Sequence, residues 1–130
     1  MLKHIKNLLE RNAFLIAIVL TALVAFLSLS NPIQIDFDLK ITFLDKIFHT
    51  FAYFGLSLSW LFTLQKYIKH YKLVGFALFF YGVLMEFLQG WLTQNREKDI
   101  FDIAANSLGI IIAVLVFNKL YKYFINFFDK

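Results

Sequence analysis

The chain has 130 residues, of which 60% are hydrophobic, and a mean hydropathy of +0.67. A soluble domain is about 45–50% apolar, so the excess, gathered in long blocks, points to a membrane protein. The absence of cysteine excludes disulfides, thiolate metal sites and a cysteine nucleophile, and the net charge of +4 sits beside apolar blocks rather than on a nucleic-acid-binding stripe.

Four blocks are long enough to span a bilayer, which needs about 20 mostly apolar residues. They are residues 13–30, 47–65, 73–92 and 101–120. Barrel strands are about 10 residues long and alternate strictly, which these blocks do not. The expected fold is therefore all-α, one membrane domain over residues 1–130 with four transmembrane helices.

Taken in chain order, residues 1–12 place Leu2, Ile5, Leu8 and Leu9 on one helical face, with Lys3, Lys6 and Glu10 elsewhere. That pattern predicts an amphipathic interfacial segment. The first span exceeds the 7–15 residues of a signal-peptide core, so it is expected to stay as an anchor. Asn31-Pro32 ends it, because proline disfavours helix in the residue before it. Residues 36–42 alternate apolar and polar, which fits a short extended segment or an irregular loop. The tail, with Leu120, Tyr121, Phe124, Phe127 and Phe128 among Lys119, Lys122 and Asn126, predicts a second amphipathic interfacial segment.

Charge orients the spans. Lys3, Lys6, Arg11, Lys66, Lys69, Lys72, Lys119, Lys122 and Lys130 fall at the termini and the second connection. Only Lys40, Lys46, Arg96 and Lys98 fall in the first and third connections. The positive-inside rule then places both termini in the cytoplasm, in a multi-pass protein of the cell inner (cytoplasmic) membrane. Seven of the nine acids, all but Glu10 and Asp129, map to the opposite, extracytoplasmic side.

Three helical stripes carry the polar groups at that side. Asp45, His49 and Tyr53 are spaced four apart at the start of span two, with Lys46 beside them. Gly82, Glu86 and Gln89 share a face of span three. Asp99, Asp102, Asn106 and Gly109 share a face entering span four. A charge near the membrane interior costs roughly 2.5–3.5 kcal/mol on insertion scales, so Glu86 marks a candidate site. It is either a neutral acid or an ion-pair partner of Arg96, Lys46 or His49. Asp45 before His49 resembles a histidine oriented for general acid–base work, and Asp45 alone also suits a helix start. Asn106, Gln89 and Ser107 suit interhelical hydrogen bonding. Tyr53, Tyr81, Trp60 and Trp91 suit packing and interfacial anchoring. Asp, Glu and His donors can hold Mg²⁺, Mn²⁺ or Zn²⁺, but no dense ligand motif selects a metal, and the cofactor is left open.

These residues resemble the VanZ-like family of small bacterial membrane proteins. The matching pieces are Asp45-Lys46-Ile47-Phe48-His49 with Tyr53-Phe54, Tyr81-Gly82 through Glu86-Phe87-Leu88-Gln89, and Arg96, Asp99 and Phe101 through Gly109. The resemblance covers residues 45–116 and implies an association with teicoplanin resistance in the cell envelope. The expected site has Glu86, His49 and Asp102 exchanging protons, and Asp45, Lys46, Tyr53, Gln89, Arg96, Asp99 and Asn106 binding a ligand. That ligand is an envelope lipid or a peptidoglycan-related molecule. Two other readings stay open: a proton- or cation-linked transport component, for which an oligomer would have to supply the pore, and a structural membrane partner whose charges are internal ion pairs. The expected partners are the lipid bilayer and this envelope component, with no nucleic acid.

Overall fold

A computed structural model describes residues 1–30, 40–67, 69–93 and 99–129. They form four helices: α1 (Leu2–Leu29), α2 (Lys40–Leu64), α3 (Tyr71–Leu92) and α4 (Ile100–Phe128). Each is long and apolar enough to cross a membrane, and the chain is a multi-pass membrane protein.

The helix ends follow from local chemistry. α1 stops at Ser30, whose backbone is extended and whose N–H still bonds the Phe26 carbonyl. Asp99 caps α4, its carboxylate accepting from the Phe101 N–H at 2.8 Å, and Asp102 lies in the first turn, where the helix dipole favours an acid. Of the alternating segment 36–42, residues 40–42 are already helical, and the rest lies outside the described residues.

Both amphipathic segments are continuous with their spans. At about 1.5 Å per residue, the 28 residues of α1 and 29 of α4 extend over roughly 40 Å, beyond a hydrocarbon core of about 30 Å. The surplus turns meet at one end, where Lys6 pairs with Asp129 at 2.7 Å and Glu10 with Lys66 at 3.3 Å. Large apolar side chains, including Phe14, Phe48, Phe76 and Leu115, point outward. A membrane bundle places such side chains against lipid and small residues between its helices.

The most extensive helix contact joins α2 and α4, which are not consecutive and run parallel. Lys46 meets Asp102, Thr50 meets Ala105, and Gln65 meets Tyr121. The reason lies in α4, where the small residues Ala105, Gly109 and Ala113 recur every fourth position and are all buried. A Cβ on Gly109 would stand 2.2 Å from the Thr50 carbonyl oxygen and 2.9 Å from the Phe54 nitrogen. Only glycine lets the two backbones approach this closely. Gly82, by contrast, meets the ring of Tyr53 rather than a backbone.

Thr21 fastens α1 to α2 and α3. Its hydroxyl accepts from Trp60 Nε1 at 2.9 Å, and its carbonyl accepts from the Tyr81 hydroxyl at 2.8 Å. Trp60 and Tyr81 therefore join helices as well as pack. Sequence spacing does not reveal this, because each partner lies on a different helix.

Candidate functional site

The parallel register of α2 and α4 brings two of the three polar stripes together. From α2 come Asp45, Lys46 and His49; from α4 come Asp99, Asp102 and Asn106. The Lys46 ammonium donates to Asp99 Oδ2 at 2.5 Å and to Asp102 Oδ1, and lies 3.8 Å from Asp45 Oδ2. Lys46 thus joins the start of α2 to the start of α4. That ammonium, opposed in part by burial and helped by the Phe101 N–H, holds the Asp99 carboxyl below its ordinary range.

His49 is placed by two kinds of contact. Its Nδ1 lies 2.9 Å from Asn106 Oδ1. With that oxygen as acceptor, Nδ1 carries the ring proton. Nε2 then faces Asp102 Oδ2 at 3.8 Å and Asp45 Oδ1 at 3.9 Å. Both distances exceed a hydrogen bond, so the space between them suits a proton carrier or a cation. Asp102 is buried and Asp45 is about one-third exposed, so the cluster has a protected side and an open one. A cavity of about 160 Å³ lined by Ser28, Asp45, His49 and Tyr53, with Val24 and Leu27 of α1 on its apolar side, opens beside it.

Tyr53 carries the α2 stripe one turn deeper and is buried. Its ring packs on Gly82 and lies 6.3 Å from the ring of Tyr81. Glu86 and Gln89, both buried on the same α3 face as Gly82, adjoin the cluster through Tyr53, whose phenol lies within electrostatic reach of Glu86. Arg96 lies outside the described residues. Thr50 was not singled out by the sequence. Its hydroxyl lies 2.9 Å from the Lys46 carbonyl and 3.2 Å from the Ala105 carbonyl, and its own carbonyl faces Gly109. A threonine beside a histidine gives no distinctive signal; the small-residue repeat of α4 is the nearest available sign of a close partner.

A four-helix bundle with a charged cluster between two parallel spans defines a polytopic membrane protein with a polar site near one end of its helices. The chain matches the VanZ/LLP1 family model over residues 3–122, and it belongs to that family. It is also similar to an uncharacterised protein of Schizosaccharomyces pombe, with 32% identity over 115 residues. That alignment covers 87% of this chain, and the chain spans 66% of the yeast protein, just under two thirds of its length. No solved structure matches the chain.

Proposed function

We propose that this chain binds or modifies a polar envelope component, a lipid-linked or peptidoglycan-related molecule, at the extracytoplasmic face of the inner membrane. In this reading both termini are cytoplasmic. The observation that supports it best is the setting of His49. Asn106 orients the ring, while Asp45 and Asp102 face its other nitrogen from two helices. A histidine held in one orientation beside carboxylates is suited to moving a proton to or from a bound group.

In this scheme His49, Asp102 and Glu86 exchange protons with the ligand. Gln89 and Asn106 supply amide contacts. The Lys46 ammonium is taken up by Asp99 and Asp102. It therefore fixes the acids in place and leaves Arg96 to meet a phosphate or carboxylate of the ligand. The association with teicoplanin resistance follows from family likeness and belongs to this proposal.

The test uses cells that produce His49→Gln or Glu86→Gln. Both variants should reach wild-type abundance in the membrane, while teicoplanin susceptibility shifts to that of cells lacking the protein. Normal accumulation of both with unchanged susceptibility would sever the link to resistance. Loss of abundance in both would favour the structural-partner reading instead.

A further inference from the structure

We infer that Asp45, His49 and Asp102 bind one divalent transition-metal ion of the zinc or manganese class. The inference goes beyond the proposed use of this site: with an ion held, His49 Nε2 and Asp102 Oδ2 serve as its ligands rather than as the groups that exchange protons, and ion binding is tested independently of that reading.

One donor atom from each of the three residues lies within 4.8 Å of the other two. The separations of 3.8 and 3.9 Å about His49 Nε2 are too long for hydrogen bonds. They stand a few tenths of an ångström outside the roughly 3.3–3.6 Å between tetrahedral ligands that each lie about 2.0–2.2 Å from one ion, so small side-chain shifts bring the donors onto it. The surroundings fit as well. A metal-binding histidine usually donates its other ring N–H to an oxygen acceptor, and Asn106 Oδ1 occupies that position at Nδ1. Asp102 offers Oδ2 to the ion position because Lys46 holds its Oδ1.

Charge and space point the same way. Among the described residues, Asp45, Asp99 and Asp102 surround the single ammonium of Lys46. Three carboxylates gathered on one ammonium beside a membrane span favour a cation at this position. The Tyr53 hydroxyl is buried and has no hydrogen-bond partner among the described residues, and Tyr53 lines the cavity that Asp45 and His49 border. That cavity has room for the waters that complete the ion's coordination. One imidazole and two carboxylates, without sulfur, suit zinc or manganese, and three protein ligands leave positions open for a further group.

The experiment uses the full chain, purified in detergent and stripped with a chelator. It is titrated calorimetrically with Zn²⁺ alone, and with Mn²⁺ alone by the loss of the free-ion resonance. The expected result is saturable binding of one ion per chain. His49→Gln and Asp45→Asn should each weaken it at least tenfold. Asn106→Ala, which removes only the ring's outer partner, should weaken it about tenfold, the low end of what such partners contribute. Circular dichroism confirms that each variant is helical, and the partly exposed Asp45 gives the substitution least disruptive to folding. No saturable binding, or affinity unchanged in folded Asp45→Asn and His49→Gln, overturns the inference. That outcome leaves the susceptibility test of the proposed function intact, and failure of the susceptibility test leaves ion binding intact.

Discussion

Gly109→Ala should destabilise the bundle by about 3 kcal/mol or more, the upper end of what overpacking a well-packed interior costs. The added methyl would stand 2.2 Å from the Thr50 carbonyl oxygen and 2.9 Å from the Phe54 nitrogen. Both are backbone atoms, so no rotamer change relieves the contact; α2 and α4 must separate. Their separation would carry Lys46 away from Asp102 and His49 away from Asn106, which makes the substitution damaging to the site as well as to stability. Trimming side chains on α2 should give no rescue. Two other glycines set the scale. A Cβ on Gly82 would lie 3.2 Å from the Tyr53 ring, which can shift slightly, and one on Gly55 would meet nothing within 4 Å. Denaturation in mixed detergent micelles should rank Gly109→Ala well below Gly82→Ala, with Gly55→Ala at or slightly above wild type. Equal losses at positions 109 and 55 would contradict the close approach of α2 and α4.

Lys46→Met should destabilise by roughly 3 kcal/mol, because removing one partner of a buried ion pair leaves the other uncompensated. Asp102 is the residue left exposed to that penalty, with only 8% of its side-chain surface accessible. Asp99 is more accessible and keeps its Phe101 N–H contact, so it contributes less. The companion variant Asp102→Leu removes the stranded charge. The double variant Lys46→Met/Asp102→Leu should therefore be more stable than Lys46→Met alone, and a double-mutant cycle measures the coupling. A loss below about 1 kcal/mol would place the pair among solvated surface bridges.

Much of this arrangement was legible in the sequence, and the reason differs by feature. Long apolar blocks declare membrane helices because the bilayer demands length and internal hydrogen bonding. The grouping of Asp45 with His49, and of Asp99 and Asp102 with Asn106, follows from helical periodicity, which needs only one chain segment at a time. Which stripes touch is a tertiary matter. Stripe spacing alone left α2, α3 and α4 on an equal footing, whereas the closest pairing is α2 with α4, decided by backbone approach at Gly109. Glycine in a membrane span allows close contact without naming the partner, so the spacing of Gly82 and Gly109 does not tell which of them meets a backbone. The task of Lys46 was hidden for a similar reason. A lone lysine at a helix start reads as a ligand-binding cation until the acids of another helix are seen around it. Thr21 was still less visible, since its partners Trp60 and Tyr81 come from two further helices.

The central claim is that the Asp45–His49–Asp102 cluster lies on the extracytoplasmic side, where an envelope component can reach it. The natural chain has no cysteine, so single substitutions give an unambiguous label. Asp45→Cys marks the cluster, and Lys69→Cys, exposed in the segment before α3, marks the opposite end of the bundle. Intact cells treated with a membrane-impermeant maleimide should label position 45 and leave position 69 unlabelled until the membrane is opened. Labelling at position 69 with protection at position 45 would turn the bundle over and contradict the account.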